Sequence, residues 1–403
     1  MKLTPSRFRP LITLVGFWVV SVVVILTLME LISWAILAGY GWLHPDYYEK
    51  ALQCPAYAQA AWVPEYLREQ RLWEESNSGQ KYVPFRLWGN TEWHGKYINA
   101  DPSDVGVWRR TLNPTAADCK IRNQTVVWMF GGSTVFGTGV PDWATLPSYL
   151  SHSLNRSGHG CLLVRNLGVE AYVSTQELIL LMEKLKEGSR PDVVIFYDGI
   201  NDAWAWTRAP DPRLAHFWTD LIRARVDGTI RGRFDFIYKT HLVSLVHLLR
   251  ARFRRRVAPV THSPAQAAIV VDNYEANLQL ARMLSQARRV TFYSFLQPSL
   301  EYGHKPLVPY EQELLSEWPR SDSEPFRLVY EEAQRRSAQA GSVDLTGLFD
   351  SVSEPIYVDG LHLGPRGNEI VADAIAKYIE EHPGGGPSPT DKEHQGNKAG
   401  ERE

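Results

Sequence analysis

The sequence predicts a mostly parallel α/β sheet with helices on both faces, tethered by one N-terminal membrane helix. Two observations predict the sheet. Five short runs rich in β-branched and aromatic residues alternate with segments of helical periodicity. That rhythm of strand and helix builds a parallel sheet buried on both sides. A third observation predicts the tether: no charged residue occurs from Leu11 to Met29, and a bilayer core needs about 20 apolar residues in a helix.

In chain order, residues 1–10 form a cytoplasmic N-terminus and 11–42 a transmembrane signal anchor. Lys2, Arg7 and Arg9 precede the apolar run, while Asp46, Glu49 and Lys50 follow it with little net charge. The positive-inside bias then holds the N-terminus in the cytoplasm and sends the rest across. A signal peptide cleaved after Ala38 is the rival, but its apolar core is normally about 7–15 residues, shorter than this run. Glu30 lies inside the run, as a functional intramembrane acid, or near the outer boundary or facing a neighbouring helix.

Residues 43–119 read as an extension packing on the main domain. They are rich in Trp and Tyr, with a helical part from Tyr47 to Leu72 and short strands and turns from Tyr82 to Pro114. The aromatics read as packing. The main domain covers 120–382. Its first strand, Val126 to Phe130, ends at Gly131 and Gly132, and Ser133 follows at once, with a helix expected after Pro141. Further strands are Cys161 to Gly168, Asp192 to Gly199, Arg289 to Pro298 and Ser342 to Leu345. Helices fall at Thr175 to Gly188, before Arg289, before Ser342, and from Gly367 to His382.

Residues 203–268 read as a basic helical insertion. Arg223, Arg225, Arg231, Arg233, Lys239, Arg250, Arg252, Arg254, Arg255 and Arg256 face few acids there. Leu242, Leu245, Val246, Leu249 and Phe253 make an apolar face in the same segment. It is either a cap that touches anionic lipid or an acidic polymer, or a solvated helical excursion. Residues 383–403, rich in Gly, Pro and charge, are expected to be disordered.

The net charge of −2 gives no sign of a nucleic-acid partner. Cys54, Cys119 and Cys161 fit no metal spacing, and no His-Glu-x-x-His occurs, so no metal or other cofactor is expected. Outside the cytoplasm two of the three could pair; the sequence does not say which two. The Gly-rich corner at Ser133 lacks the Lys of a phosphate loop and the third Gly of a dinucleotide turn.

What the corner does offer is a serine at the end of a buried strand, where open α/β sheets place ligands. A serine hydroxyl needs a base to accept its proton, and a histidine needs a carboxylate to fix its tautomer. Asp359 and His362 supply both on one Gly-containing turn before the last helix. Gly168 and Asn201 each follow a buried strand and can donate hydrogen bonds to an oxyanion, Gly168 from its backbone and Asn201 from its amide. Ser133 can add its own N–H.

In this order the four blocks resemble the SGNH hydrolase superfamily, the GDSL-type esterases. They are Phe130-Gly131-Gly132-Ser133-Thr134, Asn166-Leu167-Gly168, Gly199-Ile200-Asn201-Asp202 and Asp359-Gly360-Leu361-His362. The resemblance spans about Lys120 to His382, excluding the insertion. It implies a flavodoxin-like three-layer α/β/α sandwich with a mostly parallel five-stranded sheet. It also implies a Ser133–His362–Asp359 triad with an oxyanion hole at Ser133, Gly168 and Asn201. Gly-Gly-Ser replaces the usual Gly-Asp-Ser, as in bacterial envelope and polysaccharide-modifying relatives.

The expected activity is that of a membrane-anchored extracytoplasmic serine esterase, acting on acyl esters, acetyl or other short-chain, of an envelope glycan or lipid. Two alternatives stand beside it. One is an O-acyltransferase modifying a polysaccharide, which would need a membrane partner to deliver its acyl donor. The other is an inactive tethered scaffold.

Overall fold

The computed structural model describes residues 9–43, 47–76, 80–103, 106–115, 124–156, 161–208, 240–253, 262–317 and 320–387, with a few scattered residues between 212 and 226. The chain divides into two units, Met1–Glu49 with Trp218–Val260, and Lys50–Phe217 with Thr261–Glu403.

The first unit is built on helix α1 (Arg9–Leu43). Its stretch Leu14–Tyr40 is 27 residues long and apolar enough to cross a membrane.

After a helical turn at Pro55–Tyr57, the second unit carries α2 (Val63–Glu75) and a hairpin of β1 (Gln80–Val83) and β2 (Leu87–Asn90). Next come β3 (Trp93–His94), β4 (Asn99–Ser103), β5 (Gly106–Arg109) and β6 (Gln124–Gly131). After β6 stand a single helical turn, α3 (Ser133–Phe136), then α4 (Leu146–Arg156), β7 (Cys161–Gly168), α5 (Ser174–Lys186), β8 (Val193–Asp198) and α6 (Ile200–Arg208). The chain leaves this unit for α7 (His241–Phe253), which packs along α1. It returns with α8 (Pro264–Ala287), β9 (Thr291–Leu296), α9 (Pro309–Glu317), α10 (Arg320–Ala340), β10 (Val343–Asp344) and α11 (Pro365–Glu381).

The main sheet has the order β10-β9-β8-β6-β7-β5-β4-β3. Its first five strands are mutually parallel, as the strand rhythm predicts. Alternate residues of β6 serve opposite faces. Val127 and Met129 join the core with Leu146, Leu150, Val371 and Ile375 of α4 and α11. Trp128 and Phe130 join the other with Leu178 and Leu181 of α5 and Leu278 of α8. Each such buried side chain stabilises the fold by roughly 1.5–3 kcal/mol of transfer free energy. A sheet buried on both faces and layered by helices is therefore the observed α/β/α sandwich.

Three features differ from the expectation. The extension does more than pack on the sheet: β3, β4 and β5 prolong it to eight strands, with β5 joining β7 antiparallel at Arg109↔Asn166. These strands are two to five residues long, too short for a period to show. The insertion is narrower than 203–268, because Ala203, Ala205 and Trp206 of α6 are buried and α8 starts at Pro264. The tail is ordered at its start: the Gly386 N–H donates to Phe292 O, and Tyr293 Oη donates to His382 O. Residues 388–403 lie outside the described set, as do most of the insertion's arginines. Cys161 is disulfide-bonded, and Cys54 is a free, buried thiol.

Candidate active site

Ser133 stands at the C-terminal end of β6, where α3 begins. The two glycines before it have separate reasons. A Cβ on Gly131 would press on the backbone carbonyl of Tyr197, 2.6 Å away. A Cβ on Gly132 would collide with Asn201 Nδ2. The first N–H groups of α3 have no partner within the helix, and they lie beside the Ser133 hydroxyl.

His362 reaches this corner from a loop ahead of α11. Its Nε2 lies 2.8 Å from Ser133 Oγ, and its Nδ1 lies 2.7 Å from Asp359 Oδ2. The other oxygen of Asp359 accepts the N–H of His362 at 2.7 Å and of Leu361 at 2.8 Å. One carboxylate thus shapes the turn and orients the ring. The loop is pinned further by Val358 N–H to His362 O and Gly364 N–H to Ile356 O. Glu311, paired with Lys305, accepts the Ile356 and Tyr357 N–H groups, and Tyr310 Oη donates to Val358 O. Asp359 and His362 keep 22% and 13% of their side chains exposed, enough for a substrate to reach the ring.

The electrostatics suit proton transfer. Burial pushes the Asp359 carboxyl up, but His362 and the two backbone N–H groups outweigh it and hold it below the usual carboxylate range. Burial pushes His362 down, but Asp359, with smaller contributions from Glu170 and Glu74, leaves it above the ordinary histidine value. Glu170 was not singled out from the sequence. It is half-buried, accepts from Thr138 Oγ1 at 2.5 Å, and desolvation lifts it to about 7.

Asn201 arrives on the first turn of α6. Its Nδ2 donates to Tyr172 O at 2.8 Å and packs against Gly132, next to the serine. Gly168 is brought to the same corner but not with a free donor. Its N–H already donates to Asn166 Oδ1 at 2.9 Å, and a Cβ there would collide with the backbone N of Phe136. It is a close-approach glycine between β7 and α3. In that segment the N–H groups of Glu170 and Ala171 meet no acceptor among the described residues, and Ala171 has a φ of +61°. No sequence signal marks Ala171, because alanine rarely adopts that conformation.

Solved structures of GDSL-type lipolytic enzymes are similar to this chain. A lipolytic protein of the G-D-S-L family from Veillonella parvula shares 10% identity over 64% of this chain and 98% of that one, with a TM-score of 0.35. An acetylxylan esterase from Geobacillus stearothermophilus shares 15% over 63% and 94%, with a TM-score of 0.33. A lipase/acylhydrolase from Enterococcus faecalis shares 16% over 64% and 96%, with a TM-score of 0.35. No family model and no curated protein matches. These similarities are low, and the site stands on its own geometry.

Below Asn201 lies an acidic set without a cationic partner among the described residues. Asp202 accepts from Ser174 Oγ at 2.6 Å and from its N–H at 3.1 Å. Burial lifts Asp202 to about 6 and Asp198 to about 7, and drives Glu177 well above its ordinary value. Glu177 and Asp198 face each other and the buried Tyr274 hydroxyl with no cation beside them among the described residues, so burial favours keeping a proton on the pair. Among the described residues, no group of three or more His, Cys, Asp and Glu side chains could hold a metal ion.

Proposed function

We propose that this chain is a membrane-anchored, extracytoplasmic serine esterase that cleaves acyl esters of an envelope glycan or lipid. One observation carries the reading: the unbroken line from Ser133 Oγ through both ring nitrogens of His362 to Asp359.

With Asp359 ionised, the ring keeps its proton on Nδ1 and its lone pair on Nε2. Ser133 Oγ attacks the ester carbonyl carbon as His362 Nε2 takes its proton. The carbonyl oxygen becomes an oxyanion, held by the Ser133 N–H, the Asn201 amide and the Ala171 N–H, which takes the place expected of Gly168. When the tetrahedral species collapses, the C–O bond to the alcohol breaks and His362 returns the proton to the departing oxygen. Water then repeats the sequence on the acyl-serine, releasing the acid.

The location has two supports. The apolar span of α1 is long enough to anchor the chain. The disulfide at Cys161 fits an oxidising compartment. An aromatic surface favours a glycan over a lipid substrate. The Tyr57 hydroxyl donates to Gly139 O, and a Cβ on Gly139 would lie 3.8 Å from His362 Cβ. The Tyr57 ring meets Trp62 at 5.5 Å, and Trp62 meets Trp143 at 5.7 Å. Trp143 is 42% exposed. Flat rings held rigid near a reactive serine suit the apolar faces of sugars.

The test is a fluorophosphonate probe on the full-length protein. Labelling at Ser133, lost in Ser133→Ala with activity on a short acyl ester, is the expected result. A folded protein that never labels would leave only a tethered scaffold. Transfer of acetyl to an added oligosaccharide, in competition with hydrolysis, would make the enzyme an acyltransferase instead.

A further inference from the structure

Glu30 lies near the middle of the apolar span, yet its carboxylate is engaged by the first turn of α7. It accepts the backbone N–H of His241 at 2.7 Å and of Leu242 at 3.0 Å, and the ring Nδ1 of His241 at 2.8 Å. These are the first donors of α7. The next two are satisfied as well: Val243 N–H by Thr240 Oγ1 and Ser244 N–H by Thr240 O. A helix normally leaves its first four N–H groups to water. Here none needs water, which is the condition for ending a helix inside hydrocarbon. The arrangement is reciprocal. A lone carboxylate in the span is expensive, and the positive end of α7 relieves it.

The packing agrees. On α1, Glu30, Ser33, Leu37 and Tyr40 are covered and spaced for one helical face, with Ser21 covered further toward the N-terminus, and Ser33 is only 2% exposed. Small residues at such contacts let helices approach in a membrane. On α7, Leu245 is buried while Val246 and Leu249 remain 37% and 44% exposed. With about 1.5 Å of rise per residue, the 27-residue span Leu14–Tyr40 is longer than a hydrocarbon core of about 30 Å. Glu30 therefore falls within the core, in its outer half. Starting there and running along Ser33, Leu37 and Tyr40, the 13 residues of α7 rise about 20 Å. That brings the C-terminal end of α7 to the level of the outer headgroups.

We propose that α7 is a half-helix embedded in the outer leaflet beside α1, capped by Glu30, with Val246 and Leu249 against lipid acyl chains. The inference rests on reading α1 as a retained anchor. It makes the insertion a second attachment of the chain to the bilayer.

The experiment uses full-length protein in phosphatidylethanolamine–phosphatidylglycerol vesicles, with Cys54→Ser as background and spin labels on Val246→Cys or Leu249→Cys. A label on Ile32→Cys, on the exposed side of α1, gives the lipid reference. The expected result is high oxygen and low nickel-chelate accessibility at both α7 positions, like the reference. Glu30→Ala should raise nickel accessibility at Val246→Cys several-fold. Nickel-rich labels at both positions in the unaltered Glu30 background would overturn the proposal. Intact mass separates the two readings: loss of the first 38 or so residues defeats the anchor, whereas a full-length protein with nickel-rich labels defeats only the embedded helix.

Discussion

Replacing Asp359 by Asn tests the site at its most informative point. The carboxylate has two tasks. Oδ1 accepts the Leu361 and His362 N–H groups, and Oδ2 accepts from His362 Nδ1. An amide can keep the first by turning its oxygen to the backbone. Its NH₂ then faces Nδ1, which must become an acceptor, and the ring proton moves to Nε2. That proton points at Ser133 Oγ, so the ring can no longer take the serine's proton. In a Ser-His-Asp site the wrong tautomer costs on the order of 10⁴ in kcat. The turn survives, so stability should fall by only about 1–2 kcal/mol. The pH profile gives a second reading. Activity requires neutral His362, so the wild-type rate should rise with pH and reach half its plateau above the ordinary histidine value, because His362 is raised. In Asp359→Asn the remaining activity should rise at lower pH, since the charge that favoured the imidazolium is gone. The assay is hydrolysis of a short p-nitrophenyl ester from pH 5 to 9, with thermal unfolding alongside. A folded Asp359→Asn enzyme within tenfold of wild type would refute the reasoning.

Gly132→Ala should keep the fold but push the Asn201 amide from Tyr172 O, lowering kcat by about as much as Asn201→Ala, on the order of 10²–10³; steady-state kinetics with a melting curve check this, and unchanged kcat would count against Asn201. The buried acids make stability fall as pH rises: their folded pKa values are raised, so the folded state keeps protons that the unfolded chain releases above about 4. The decline should run from about pH 4 through the folded values of about 6 and 7, total a few kcal/mol, and flatten in Asp198→Asn, as urea titrations at each pH would read. Trp143→Ala should lower kcat/KM on acetylated oligosaccharide several-fold and leave a small p-nitrophenyl ester untouched; equal effects on both would remove the ring from substrate binding.

Legibility in the sequence followed from whether a residue's role was set by its neighbours in the chain. Ser133 and His362 are 229 positions apart, yet each was readable because each stands at a break beside a predicted element. Parallel strands place their C-terminal ends together, so such breaks converge. Gly168 shows where that reasoning stops. It too follows a buried strand, and its direction is set by the same rule. Its N–H is nevertheless engaged by Asn166 Oδ1, two residues back, and a sequence does not say which of two rotamers an Asn adopts. An open donor belongs to Ala171, held left-handed by the structure around it rather than by its own preference.

The extension's place in the main sheet was hidden for a different reason. Strands such as Asn99–Ser103 carry no apolar alternation, because their register comes from polar contacts. Asp142 joins Arg109 of β5 to Asn99 of β4, with Arg109 Nε at 2.6 Å and Asn99 Nδ2 at 2.8 Å. Arg109 also donates to Val140 O and lies over the Phe136 ring, on the turn that begins at Ser133. The strands that look least like strands are thus held by a buried charge pair whose other contacts brace the catalytic corner. An unpaired Asp142 or Arg109 would leave a buried charge, a loss of about 3–5 kcal/mol. The same pair therefore adds three strands to the sheet and fixes the backbone behind the serine.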